Sequence, residues 1–163
     1  REMINFWVEL GYASGDSNPN DNHHETFDLL FGTGHRFNGM MDLFGLRNIH
    51  NPSATFSVKP AKGLSLRLDY LAFWLADTHD FAYPRNGSGR SGNGYGIKPR
   101  NNSFLGTELD FIVSYQPWSW AEFQFGYGHF FTGKYIEQSL ESVSANRGAV
   151  DADWVYVQGK INF

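Results

Sequence analysis

Residues 64–75 read LSLRLDYLAFWL. Side chains of an extended chain alternate between two faces, so Leu64, Leu66, Leu68, Tyr70, Ala72 and Trp74 share one side while Ser65, Arg67 and Asp69 share the other. The second half, Leu71 to Leu75, is apolar on both faces. The same period recurs on either side of this stretch. Ile4, Phe6, Val8, Leu10 and Tyr12 alternate with Asn5, Trp7, Glu9 and Gly11, and Ala54, Phe56 and Val58 alternate with Ser53, Thr55, Ser57 and Lys59. Downstream, Leu105, Leu109, Phe111, Val113 and Tyr115 oppose Gly106, Glu108, Asp110, Ser114 and Gln116, and Phe123, Phe125, Tyr127 and Phe131 oppose Glu122, Gln124, Gly126 and Gly128. The last segment sets Val155, Val157, Gly159, Ile161 and Phe163 against Trp154, Tyr156, Gln158, Lys160 and Asn162.

The connections decide between a soluble sandwich, which also alternates, and a membrane barrel. Long segments (14–48, 78–103 and 133–151) alternate with short turns at 60–63 and 117–119. A transmembrane β-barrel has this asymmetry, with long extracellular loops and short periplasmic turns. The strands are also longer than the roughly 5–6 residues usual in soluble sheets. Aromatic residues stand near the ends of the apolar faces: Tyr12, Trp74, Tyr127 and Phe131 toward the long loops, Tyr115 and Phe163 toward the turns, with Trp118 and Trp120 beside a turn. Interfacial girdles have this placement. The expected fold is therefore all-β: an antiparallel transmembrane β-barrel segment of about six long strands, paired as neighbouring hairpins, without a substantial helix. Six strands fall below the documented minimum of about eight for a bacterial barrel. Residues 1–163, which open Arg-Glu-Met-Ile-Asn, thus read as the C-terminal portion of a single outer-membrane β-barrel domain, truncated at its N-terminus, with open edges.

Composition narrows the functional classes. Of 163 residues, 41% are hydrophobic, 18% charged and 17% aromatic, with 18 glycines and no cysteine. Without cysteine there is no disulfide scaffold, thiolate metal site or thiol nucleophile. A net charge of -4 and a pI near 5.8 give no basic field for nucleic acid.

Several motifs in order carry a resemblance: GYASGDSNPND (11–21), TFDLLF (26–31), GHRFNGMMDLFGLRN (34–48), LSLRLDYLAFWLADTHD (64–80), GTELDFIVSYQP (106–117) and FQFGYGHFFTG (123–133). Together they resemble the C-terminal part of the alginate export porin family of Gram-negative outer membranes, over nearly the whole chain. The resemblance implies a large barrel in the bacterial outer membrane, among its lipid and lipopolysaccharide, passing a polysaccharide or small solutes. It implies a porin or exporter and not an enzyme, with no cofactor. The terminal Phe163 resembles the signal read by barrel assembly machinery. Family members differ in cargo, so alginate itself does not follow.

If the apolar faces meet lipid, the lumenal faces carry Glu9, Lys59, Arg67, Asp69, Glu108, Asp110, Glu122 and Lys160. That mixture is not the positive pathway a polyanion exporter would present. Arg67 and Asp69 read as a constriction pair or as a structural pair in the wall, with Lys160 expected at similar depth. Glu108 and Asp110 read as a polar lumen; two carboxylates also invite a glycosidase reading. Arg47, which matches the family's arginine in DLFGLRN, would hold a sugar carboxylate at the pore entrance or pair with a loop acid such as Asp42. From Phe81 to Thr107 there is no acid, while Arg85, Arg90, Lys98 and Arg100 are basic. Those four would guide anionic cargo or face lipopolysaccharide phosphates.

Other motifs lose their context. Gly87-Ser88-Gly89-Arg90-Ser91-Gly92 fits a dinucleotide fingerprint but precedes Asn93-Gly94-Tyr95-Gly96, where a helix is needed. Asp16, Asn18, Asn20 and Asp21 would serve an oxygen-rich loop cation, but lack the glycine and glutamate of a calcium loop. His23-His24-Glu25 has no second ligand cluster. His129 lies in lipid phase and Ser114 in lumenal phase, so no Ser–His nucleophile assembles. Two alternatives remain open: a general diffusion porin without polysaccharide specificity, and a soluble carbohydrate-binding β-sandwich.

Overall fold

The computed structural model describes residues 3–18, 20–30, 37–85, 100, 102–141 and 149–162. Strands β1 (Met3–Ala13), β2 (Ile49–Ala61), β3 (Leu64–Leu75), β4 (Phe104–Trp118), β5 (Ala121–Thr132) and β6 (Ala152–Ile161) form a single sheet in chain order. Every pairing is antiparallel and between chain neighbours. β1 and β6 do not pair with each other, so the sheet is open. A sandwich needs two facing sheets, whereas the six strands of the described residues all lie in one.

The hairpin turns are tighter than the sequence suggests. Only Lys62 and Gly63 join β2 to β3, and only Ser119 and Trp120 join β4 to β5. Gly63 takes φ +77°, a left-handed conformation that costs a glycine little, and its carbonyl accepts from Gln116 N at 2.7 Å. β2 begins at Ile49, four residues before the expected alternation, and runs through Pro52. Proline has no N–H for the ladder, and the β2–β3 register passes from His50 to Ser53 without pairing Asn51 or Pro52.

The two faces differ as the alternation requires. The outward face is apolar and exposed, Phe6, Leu10, Leu68, Phe111, Phe125 and Val157 among it. At the long-loop end Tyr12, His50, Trp74 and Phe104 stand side by side across β1 to β4. His50 stacks on Trp74 at 5.3 Å and Trp74 meets Phe104 at 5.1 Å. At the short-turn end Leu64, Tyr115 and Phe123 are paired, and Trp118 stacks on Trp120 at 5.1 Å and 5°.

Leu105 departs from the expected phase. Phe73 pairs with Gly106 and Trp74 with Phe104, so Leu105 is the extra residue of a β-bulge. The bulge turns it inward, to 1% exposure, instead of onto the outward face with Leu109. The long connection after β5 also holds a helix where none was expected: α1, Lys134–Glu141, eight residues. Ile136 N and Glu137 N bond to the carbonyl of Gly133, which starts it, and Tyr135 and Ile136 are buried.

The buried core lies on the inward face, at its long-loop end. Ile49, Leu71, Phe73, Leu75, Leu105 and Phe130 from the sheet meet Phe44, Ala82, Tyr135 and Ile136 from the connections. Phe44 is central, its ring 5.2 Å from Phe73 and 5.8 Å from Phe130. Removing such a ring typically costs about 3–5 kcal/mol. Phe44→Ala should therefore loosen residues 37–48 from the sheet, seen as faster protease cleavage within that segment of the folded protein; a wild-type cleavage rate would show that Phe44 does not hold it.

Candidate functional site

The register sorts the inward face into rows. Below the rows of Ile49 and Leu75 and of Phe73, Gly106 and Thr132 comes Ser53, Leu71, Glu108, Phe130 and Ala152, and next Thr55, Asp69, Asp110, Gly128 and Trp154. Then come Ser57, Arg67, Ile112, Gly126 and Tyr156, and after them Ser65, Ser114, Gln124 and Gln158. Glu122 and Lys160 face each other last. Lys160 is thus four residues nearer the turns than Tyr156, the residue in Arg67's row, and the sheet does not gather Arg67, Asp69 and Lys160 into one ring.

Glu108 and Asp110 lie on the inward face, as their phase requires, but are fully buried under the connection between β1 and β2. Residues 37–48 of that connection fold onto the sheet. Met40 N donates to Asp110 Oδ2 at 3.0 Å, Met41 N to Glu108 Oε1 at 2.9 Å, and Asn51 Nδ2 to the Phe37 carbonyl at 2.6 Å. Two glycines make room. Gly39 has φ +83°, and a Cβ there would stand 2.6 Å from Glu108 Oε2; one on Gly128 would stand 2.6 Å from Asp110 Oδ1 and 3.1 Å from Met41 Cγ. The pair thus tethers backbone amides and lies covered, instead of lining an open lumen.

Below this latch Arg67 grips Asp69 with two nitrogens, Nε to Oδ1 at 2.9 Å and Nη2 to Oδ2 at 2.8 Å. Thr55 Oγ1 also donates to Asp69 Oδ1, at 2.6 Å. Asp69 is 4% exposed, whereas the Arg67 side chain keeps 36% of its surface open to the inward space. Beside it the Tyr156 ring covers Gly126, occupying the place a Cβ would take, and the Tyr156 hydroxyl donates to Gln124.

The connections at the long-loop end are knitted by two residues that the sequence reading missed. Asp80, 3% exposed, accepts from Asp16 N at 3.0 Å and Thr26 Oγ1 at 2.5 Å on one oxygen. Its other oxygen accepts from Phe81 N at 2.6 Å and the Tyr83 hydroxyl at 2.9 Å. Asn48, fully buried at φ +46°, donates to the carbonyls of Asp77 and Phe81 at 2.9 Å and accepts from Asp77 N at 2.7 Å. Only the tolerance of asparagine for positive φ hints at such a role in sequence.

Arg47 pairs with Asp28, not with Asp42, which instead accepts from Arg85 Nη1 at 2.5 Å. Two arginines thus bind acids of the β1–β2 connection. Arg100 is exposed; Arg90, Lys98 and Phe163 lie outside the described residues. The candidate cation residues serve local turns: Asp16 Oδ1 accepts from Asn18 N at 3.0 Å and Asp21 Oδ1 from His23 N at 2.9 Å, while Asn20 is exposed. Among the described residues no three His, Asp or Glu side chains converge as a metal site requires. His129 sits on the outward face, 2.8 Å from Asp153 Oδ1.

Two outcomes test this geometry. Gly39→Val adds a branched side chain where the Glu108 carboxyl lies and where φ is positive, so residues 37–48 should lift from the sheet; unchanged protease protection of that segment would contradict the latch. Burial, reinforced by the bond to Asp80, pushes the Tyr83 hydroxyl up to about 12. Its neutral form is the stabilised one, so its contribution is complete below the ordinary value near 10 and is lost as pH rises toward about 12. The ultraviolet signature of phenolate formation, read as the difference from Tyr83→Phe, should titrate in that raised range.

No curated protein matches the chain, and no solved structure does. A family model does: its description is alginate export, and it matches residues 3–150. With the open antiparallel sheet, its apolar outward face and its polar inward face, this match leaves one assignment: the chain belongs to the alginate export family.

Proposed function

We propose that this chain is part of the wall of an outer-membrane pore that passes an anionic polysaccharide, with the outward face in lipid and the inward face lining the lumen. One observation carries the reading: the depth of the apolar band opposite a polar face. From Leu64 to Trp74, the two aromatic rows are separated by about 33 Å along β3, at roughly 3.3 Å per residue. Strands tilted by about 40° convert that into about 25 Å of depth, the height of the apolar band of an outer-membrane barrel. In this orientation the two-residue turns face the periplasm and the long connections face outward, toward lipopolysaccharide, with residues 37–48 folded inward to narrow the lumen. Further strands would complete the barrel at the open edges of β1 and β6, since an unpaired edge in lipid leaves backbone groups unsatisfied. Phe163 would present the chain to the assembly machinery.

Arg67 is the cation of the middle depth that remains open to the lumen, and it would contact carboxylates of a passing chain. Because Asp69 depends on it, neutralising Arg67 leaves a buried acid behind. The local charge then turns negative. In the full-length protein Arg67→Gln should shift the reversal potential in a salt gradient toward cation preference, and an unchanged reversal potential in a normally assembled protein would make Arg67 a wall residue alone.

The mutual neutralisation of Arg67 and Asp69 favours a second reading, a general diffusion porin on the same scaffold. Planar-bilayer conductance of the full-length protein separates the two. Oligomers of a uronic acid should block an exporter of anionic polysaccharide at concentrations where neutral oligosaccharides of equal length do not; equal, weak block by both would favour general diffusion.

A further inference from the structure

We propose that Glu108 and Asp110 share a single proton, and that this proton is the clasp that holds residues 37–48 on the inward face. Both side chains are fully buried. Glu108 Oε1 and Asp110 Oδ2 each accept one main-chain amide, from Met41 at 2.9 Å and from Met40 at 3.0 Å. That leaves Glu108 Oε2 and Asp110 Oδ1, buried acceptors that no donor among the described residues meets. The two carboxyl groups stand close enough to hydrogen-bond to each other. Two carboxylates at that separation repel, and away from water neither has a counter-charge to offset the cost. One proton removes both difficulties, because it turns one unmet acceptor into a donor for the other.

The groups around the pair supply no positive charge in the proton's place. On β3, Asp69 faces Asp110 across the ladder, and Arg67 is committed to Asp69 through two nitrogens. β5 offers Phe130 and Gly128, and β2 the hydroxyls of Ser53 and Thr55. On β6 the Tyr156 hydroxyl donates to Gln124, and on β1 Glu9, another acid, lines a small groove with Gly39, Arg67 and Asp69. Within the connection itself, Asp42 is paired with Arg85. A metal ion is the other way to join two carboxylates, but it needs further ligands, and no three His, Asp or Glu side chains converge among the described residues. The clasp therefore responds to pH in one sense. Lifting the connection lets water reach both groups, and each then ionises as a free carboxyl does, so only the covered state keeps the shared proton. Attachment is complete while that proton is bound and is lost as rising pH removes it to water. Where the inward face lines a lumen, as proposed above, the proton sets how far residues 37–48 narrow it; the clasp itself does not depend on that reading.

The test uses the full-length protein in detergent micelles and reads protease cleavage inside residues 37–48, normalised at each pH to the same protein denatured. Between neutral and alkaline pH the wild-type rate should rise about tenfold or more, the scale of one lost hydrogen bond to a charged group. Glu108→Gln puts an amide N–H where the proton was, so it should keep the protection seen at neutral pH and lose the rise. Infrared spectra at neutral pH should show the carbonyl band of a protonated carboxyl group in the wild type and its loss in Glu108→Gln. The clasp is overturned by a wild-type rate that ignores pH, by absence of that band, or by a Glu108→Gln protein that is cleaved fast at neutral pH or keeps the wild-type rise. Loosening of the wild type by a chelator at neutral pH overturns it too, since that result puts a metal ion in the proton's place. Should Glu108→Gln fail to assemble, Asp110→Asn decides by the same readings: protection without the rise supports the shared proton, and any other result overturns it. Conductance and block by oligosaccharides are separate measurements, so failure here leaves the pore reading standing.

Discussion

Everything in this structure follows from pairing each strand with its chain neighbour while side chains alternate. The meander satisfies the backbone inside the sheet, and the period of two then hands every second residue to each face. Sliding β3 or β4 by one residue would carry Arg67, Asp69 or Glu108 to the apolar side, away from the partners that hold them. The register is therefore fixed from both sides, by what the outward face excludes and by what the inward face binds.

The inward face is graded along its length. Near the long loops it behaves like the core of a water-soluble protein, with Phe44, Phe73, Phe130 and Tyr135 packed together. The two carboxyls just below convert that packing into a directed attachment, because Met40 and Met41 offer backbone amides only in one conformation of the connection. Aromatic contacts pack the connection against the sheet, and the amide bonds set its position. Toward the short turns the same wall is hydrophilic, and among the described residues no such covering lies on it.

The amount of this visible in the amino-acid sequence varies by element. LSLRLDY announces its strand phase at once, and Arg67 and Asp69 meet as neighbours on one face should. Leu105 misleads, since a single inserted residue reverses its face and nothing within SFLGTEL marks the insertion except Gly106. KYIEQSLE is too short to show helical periodicity. The latch is the least legible feature. Its donors are main-chain amides, which every residue possesses, and its acceptors lie about seventy residues away in the chain. Gly39 carries the one local trace, a residue free to take positive φ. Arg47 illustrates the remaining difficulty: an ion pair was foreseeable, but whether the acid would be Asp28 or Asp42 depended on how two loops fold over each other.

The meander also bears on how such walls change size over evolutionary time. Because pairings link only consecutive strands, duplicating or deleting a hairpin leaves all other registers intact, and circumference can drift in steps of two strands. The tethered connection restricts where that drift is allowed. It runs on directly into β2 at Ile49 and is fastened to β4 at Glu108 and Asp110, so a hairpin gained between β2 and β4 would carry the anchor beyond its reach. Variation in strand number should therefore accumulate outside the β2–β4 block. That block would persist as the fixed arc of the sheet.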